Sequence, residues 1–406
     1  MNLTKRLIFL LFASIGLLLI PIGLAYADGI TLSELTATYT FAQSITFNVQ
    51  ASSASPIQQA TLFFQAGGAP PIKQAAAEFI SANQVTLTAK LDLAHIKPPA
   101  FSTISYWWEV DDRSGQHIQS PPQSIAYIDN RFQWQDLTAG SIRVHWVQGD
   151  SGFGASAASI ANNALPKIQQ QIGARPPAPI DIYIYSSTQQ VRSAVELAGQ
   201  TWLGGLAQPE FGVVMIAIPD DETTLINLRR DVPHELTHLL VFVATTPNYR
   251  TVPRWLDEGL ASIHEVDPNS TQAVALQNAF NANQLIPIES LCGAFPGDAA
   301  SAIIAYAESR GLVQQIVNEY GSAGLQALLA AYRDGATCDA GVERGLNDSL
   351  ASLELKWKSS LTPSSGATSI VTGVLPWLLL IAVIVLPLMA LVPRKNDRGR
   401  TTNHHS

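Results

Sequence analysis

The feature that most constrains this chain is His234-Glu235-Leu236-Thr237-His238, set in a stretch from Leu225 to Ala244 that is apolar on most of its surface after Glu235 (Leu236, Leu239, Leu240, Phe242, Val243). The pattern predicts a helix buried in the middle of its domain. On a helix, residues four apart stand one above the other, so the two imidazoles share a face while Glu235 is turned one step aside. Two buried, unpaired histidines and a buried carboxylate are each costly. A solvated surface helix is therefore a poor account, and a metal ion shared by the rings is a good one. Glu235 then stands beside the ion, where a carboxylate can take a proton from water. Pro233 requires the helix to start or distort just before it, with Asp231 as the expected N-cap.

The ends of the chain set its topology. Lys5 and Arg6 precede an apolar run from Leu7 to Leu24 and then Ala25-Tyr26-Ala27, the form of an export signal cut before Asp28. An uncleaved anchor is the competing reading of the same run. Val371 to Val392 is long and apolar enough for one transmembrane helix despite Pro376 and Pro387, and Arg394, Lys395, Arg398 and Arg400 after it belong on the cytoplasmic side. Everything between is expected outside a cell membrane that the chain crosses once. A net charge of -8 with few basic clusters outside the tail argues against a nucleic-acid partner. The two cysteines, Cys292 and Cys338, both fall in the exported part, so a disulfide is expected; neither has a neighbouring ligand at the spacing of a cysteine zinc site.

Residues 28–129 carry short alternating runs, such as Ser44 to Val49 and Ile104 to Val110, separated by turn-rich pieces, which predicts a β-sandwich. The pattern does not separate an immunoglobulin-like from a fibronectin-like module. Trp107 and Trp108 invite a sugar-binding reading, yet on a strand one of them must face the core. Residues 130–359 change to an α/β pattern and then, from Ser290, to a mainly helical one broken at Gly321 and Gly335. Residues 360–370 read as a stalk, 371–392 as the transmembrane helix and 393–406 as the tail.

Downstream of the His-Glu-x-x-His string stands Trp255-Leu256-Asp257-Glu258-Gly259-Leu260-Ala261. With both motifs present, the chain from about Phe132 to Trp357 resembles the gluzincin metallopeptidases, the group of thermolysin and the alanyl and leucyl aminopeptidases. The resemblance implies zinc as the cofactor, peptides or proteins as substrates, and His234, His238 and Glu258 as the metal ligands. The spacer is one residue longer than in the aminopeptidases, which would put Asp257 at the ligand position; the flanking residues point to Glu258. It also implies that Glu265, two helical turns on, orients a ligand, and that Tyr306 stabilises the oxyanion, with Tyr249 in reserve. His264 is expected to point away from the ion, and the acid that thermolysin has four residues after its ligand is replaced by Ser262. The aminopeptidases have an acid after Met in a strand that grips the substrate amino terminus, but here Gly212-Val213-Val214-Met215-Ile216-Ala217 has none. That strand is expected to serve, if at all, as an edge for backbone pairing.

The expectation is therefore a multidomain chain, with an N-terminal β-sandwich, an α/β plus mainly α-helical gluzincin-like domain, and one C-terminal transmembrane helix. Its expected function is that of an extracytoplasmic, membrane-anchored zinc peptidase, with aminopeptidase action unsupported. A zinc-binding adhesion or interaction protein of the cell surface without turnover is the alternative.

Overall fold

The computed structural model describes residues 29–67, 70–75, 78–176, 179–197, 206–266 and 270–362. The expected signal segment, most of the stalk, the span at 371–392 and the tail lie outside the described residues. Among the described residues no helix is long and apolar enough to cross a membrane.

The N-terminal part is a pair of antiparallel sheets. Strands β1 (Thr31–Thr40), β2 (Ser44–Ser52) and β5 (Gln84–Asp92) form one, in the order β1-β2-β5. Strands β3 (Ile57–Ala66), β4 (Ile72–Ala75), β6 (Ser102–Asp112) and β7 (His117–Gln119) form the other, in the order β4-β3-β6-β7, with β8 (Gln123–Tyr127) also on β6. Period-two burial builds the core: Ile45, Phe47 and Val49 of β2 face Leu62 and Phe64 of β3 and Ile104, Tyr106 and Trp108 of β6. Trp108 is inside, whereas Trp107 lies on the outer face and stacks on Phe63, its cross-strand partner. In the constant-type immunoglobulin order the fourth strand extends the first sheet. Here β4 instead pairs with β3, Thr61 to Phe64 against Ala75 to Ile72, so the module departs from that order.

The rest of the chain is built on a third sheet of β9 (Gln135–Ala139), β10 (Ile142–Trp146), β11 (Ile180–Tyr185), β12 (Leu206–Gln208) and β13 (Val213–Ala217), ordered β12-β13-β11-β10-β9. Its three central strands are parallel, and β11 and nearly all of β13 are buried on both faces, whereas β10 leaves Arg143 exposed on one. Ile180, Ile182 and Ile184 of β11 face the core shared with helices α1 (Ser151–Ile172) and α3 (Thr224–Thr245). Tyr183 and Tyr185 turn the other way, with Val213 and Met215, into the apolar cluster of the sandwich. The two parts meet along this continuous core instead of a solvated linker. At the joint, fully buried Asp129 accepts hydrogen bonds from Arg131 Nε (2.8 Å) and Nη2 (2.6 Å) and from the Tyr185 hydroxyl (3.1 Å).

β13 is not the expected edge strand. β12 covers it antiparallel, with Gln208, Ala207 and Leu206 opposite Val213, Val214 and Met215. Most of its outer backbone is thus already paired.

The helical part follows: α2 (Thr188–Leu197), then α4 (Arg254–His264), α5 (Ser270–Asn281), α6 (Ala299–Arg333), α7 (Cys338–Leu346) and α8 (Leu350–Leu361). The break in α6 falls at Gly321, whose φ of 65° and ψ of -170° are not helical. Cys292 and Cys338 form a disulfide joining the chain before α6 to the start of α7. The segment between α5 and α6 is held by two acids on neighbouring helices. Glu308 of α6 accepts from Ile286 N (2.9 Å), and Glu354 of α8 accepts from Ile288 N (3.3 Å) and Lys358 Nζ (2.7 Å).

Glu308 is fully buried and its Oε2 has no partner among the described residues. Burial pushes its carboxyl up to about 7, against the Ile286 N–H and Lys358, which pull it down. Between the ordinary carboxyl range and that value the folded chain holds a proton the unfolded chain has lost, so stability falls as pH rises across this window. Glu308→Gln keeps the acceptor for Ile286 and removes the titration. The variant is expected to exceed the wild type by roughly 2–3 kcal/mol at pH 8 and to match it near pH 4.5. Urea unfolding at both pH values checks this; a gap independent of pH would exclude it.

Candidate metal centre

α3 begins nine residues earlier than Pro233 demands of a simple helix start. It opens at Thr224, after a turn in which Asp221 accepts from Thr223 N (2.7 Å), and continues through Pro233; Asp231 is no N-cap but lies inside, paired with Arg230. The reason is local. Pro233 has no N–H for the carbonyl of Arg229, and that carbonyl accepts instead from Val266 N (3.1 Å), just beyond the end of α4. The hydrogen bond that proline removes from one helix ties the end of the second to it.

This clamp brings Glu265 beside His234, with Glu265 Oε1 2.9 Å from His234 Nδ1. One turn along α3, His238 Nδ1 lies 2.9 Å from Asp257 Oδ1, and Tyr249 donates its hydroxyl to Asp257 Oδ2 (2.9 Å). An ionised carboxylate only accepts, so both Nδ1 atoms carry the proton and both Nε2 atoms are left as lone pairs in the neutral rings. Those atoms face Glu258 Oε2 at 3.3 Å from His234 and 3.7 Å from His238. That oxygen is buried and makes no hydrogen bond among the described residues. Tetrahedral ligands with zinc bonds of about 2.0–2.1 Å stand roughly 3.3 Å apart. Two imidazoles and one carboxylate are also a donor set that suits zinc with a position left open. The residues fit the ion.

His234, His238 and Glu258 are thus brought together. Asp257, the competing third ligand, is taken up at the back of His238. The remaining Glu258 oxygen, Oε1, is held by Arg254 Nη2 at 2.5 Å, one turn earlier on α4. Glu235 is buried alongside, and its Oε2 has no hydrogen-bond partner among the described residues. His264 points away: its Nδ1 lies 2.8 Å from the Leu260 carbonyl and its Nε2 3.0 Å from Gln171 Oε1. Tyr306 lines a pocket of ≈620 Å³ together with Tyr249, Arg254 and Asp257, packed edge-on against Phe295. The sequence offers Asp257 only as a rival ligand, not as the partner of His238, and gives Arg254 no role. The signal for Arg254 was present, as its spacing from Glu258 is that of a helical ion pair.

The charges are strongly coupled. Burial pushes both imidazoles down, but the carboxylates of Glu258 and Glu265 around His234, and of Asp257 and Glu258 around His238, outweigh it and raise both. Burial pushes the Glu258 carboxyl up, yet His238, His234 and Arg254 bring it to about 2. Burial raises Glu235, an acid shifted toward the range where it can both take and return a proton. His264 is pushed down to about 4 by burial, and the Tyr306 hydroxyl up to about 12, which keeps it protonated and able to donate.

The family profile described as the peptidase MA superfamily matches residues 160–363, from the middle of α1 to just past α8. The chain belongs to this superfamily. Among solved structures, an aminopeptidase N family protein from Idiomarina loihiensis is similar at 9% identity and a TM-score of 0.36, over 77% of this chain and 72% of that one. The catalytic inactive OgpA from Akkermansia muciniphila, solved with an O-glycopeptide substrate, is similar at 7% identity and a TM-score of 0.20, over 25% of this chain. This chain spans 29% of that protein's length. No curated protein matches. In this peptidase fold, Glu265→Gln and Asp257→Asn are each expected to lower zinc affinity about 10- to 100-fold with helicity unchanged. Competition against a chromogenic chelator measures it, and wild-type affinity in both variants would remove the two acids from the centre.

Proposed function

We propose that this chain is a zinc-dependent peptidase that hydrolyses peptide bonds outside the cell while tethered to its membrane. One observation carries the chemistry: both histidine Nε2 atoms and Glu258 Oε2 converge, the opposite ring nitrogens are tied to carboxylates, and the buried Glu235 carboxylate lies next to them, its Oε2 without a hydrogen-bond partner among the described residues. Zinc at such a donor set supplies a Lewis acid that polarises the scissile carbonyl and acidifies the attacking water. Glu235 takes the proton of that water and delivers it to the leaving amine, which its burial-raised affinity for a proton favours. Tyr306, protonated throughout, donates to the oxyanion from the pocket wall. Glu265 and Asp257 keep His234 and His238 in the tautomer that presents Nε2, and Arg254 leaves Glu258 a single free oxygen.

The outside location is supported by the export-type start, the Cys292–Cys338 disulfide, and the apolar run from Val371 to Val392 with its basic flank. Aminopeptidase action has no support, because no acid follows Met215 and β12 covers that strand.

Glu235→Gln separates enzyme from binder, since that residue is not needed to hold the ion. The variant is expected to bind about one zinc per chain, as the wild type does, and to lose at least roughly 100-fold in cleavage of an unbiased peptide library. Equal cleavage by the two proteins, or none by either, would leave the non-enzymatic alternative standing.

A further inference from the structure

We propose that the pocket beside the metal centre is a subsite for a carboxylate, so that the preferred substrates carry an acidic side chain or a free C-terminus next to the scissile bond. This rests on the peptidase reading of the adjoining centre. The pocket, ≈620 Å³, is lined by Tyr249, Arg250, Arg254, Asp257, Phe295 and Tyr306 among others. Its one lining carboxylate is spent internally, with Asp257 Oδ1 on His238 and Oδ2 on Tyr249. Asp298, just beyond the loop that forms the far wall, caps α6 through Ser301 N (2.9 Å). Two guanidinium groups remain. Arg254 holds Glu258 through Nη2 and has further N–H donors on the same planar fork. Arg250 is exposed, and its side chain has no hydrogen bond or ion pair among the described residues. Phe295, edge-on to Tyr306 with ring centroids 5.2 Å apart, adds an apolar wall suited to the methylenes of a short acidic side chain. Arg254 reaches Glu258, and Glu258 reaches both histidines, so the pocket lies one side chain from the reacting bond.

Matched fluorogenic peptides test this on the full-length, zinc-loaded chain: Glu against Gln against Lys at each position flanking the cleaved bond, and free acid against amide at a C-terminus placed next to it. A carboxylate bound by guanidinium is expected to raise kcat/KM roughly ten- to a hundredfold over its neutral counterpart. Preference for Glu over Gln identifies an acidic side chain as the source; preference for acid over amide identifies the chain end. R250E alters an exposed position outside the metal ligands and is expected to shift the preference from Glu toward Lys, or from acid toward amide. Cleavage without discrimination in both arms, or an R250E profile identical to the wild type, overturns the subsite while leaving the peptidase reading intact. No cleavage of any peptide overturns that reading and the subsite with it.

Discussion

The metal centre depends on how closely α4 can lie on α6. A Cβ at Gly259 would stand 2.4 Å from the Ser309 carbonyl oxygen and 2.6 Å from Val313 Cγ2. The backbone of α6 cannot retreat, because its buried face (Ala305, Leu312, Val313, Ile316) packs into the core that also holds Trp255, Leu256 and Leu260. The residue next to Glu258 therefore has to be glycine for Glu258 to reach the histidines. The second restraint is the bond from Val266 N to the Arg229 carbonyl, made available by Pro233. One contact sets the depth of α4 and the other sets its far end, so the three donors are aligned by backbone packing before any ion is bound. That arrangement is the preorganisation that makes an ion site tight.

Alignment alone leaves an electrostatic problem. Glu235, Asp257, Glu258 and Glu265 are all buried within the same two-helix crossing, with each carboxylate costly to desolvate. Arg254 answers for one Glu258 oxygen, while Arg310 stands 3.9 Å from Glu265 Oε2 and also donates to the Ser262 carbonyl. The imidazoles answer for the rest, and each can do so in two ways. With protons at both nitrogens they are cations paired to acids on either side. With Nε2 bare, the lone pairs and Glu258 Oε2 repel unless a positive ion lies among them. Protons and a metal ion thus compete for the same three atoms, and the acids behind the rings stabilise the arrangement in either case.

What was legible in the sequence follows the range of each interaction. The His234–His238 pair and the placement of Glu235 depend only on helical periodicity, and the break at Gly321 only on a local backbone preference. Trp108 inside and Trp107 outside follow from strand alternation, which guarantees the split without saying which tryptophan goes in. The choice of Glu258 over Asp257 rested on the flanking residues alone, because helical geometry along the chain does not make it. Adjacent helical residues point about 100° apart, and which of them meets the ring nitrogens is set by the rotation of α4, fixed in turn by Gly259 against α6. Asp231 read as a helix start because proline usually ends a run of helix; the compensating donor came from Val266, more than thirty residues away. The covering of β13 was equally hidden, since β12 is a three-residue strand with no periodic signature. The joint at Asp129 was read as a boundary because the composition changes there, although Tyr183 and Tyr185 alternate with isoleucines in a way that already requires a second apolar partner for the sheet.

The pocket beside the centre is held differently from the centre itself. Gly293 and Gly297 bound its outer wall, and a Cβ at either would meet nothing within 4 Å, while Phe295 between them packs edge-on against Tyr306. The base of the loop is restrained covalently. Cys292 is bonded to Cys338 across 46 residues, a closure that in the chain-entropy account stabilises by about 4 kcal/mol. The Cys292 carbonyl also accepts from Arg254 N (3.1 Å), at the first turn of α4. The same residue that ends the loop therefore positions the helix start from which Arg254 reaches Glu258. A wall with open space at its two glycines and a fixed base can take side chains that change what the pocket admits without disturbing the ligand one turn away, so substrate choice and metal geometry are separable here although they share a side chain.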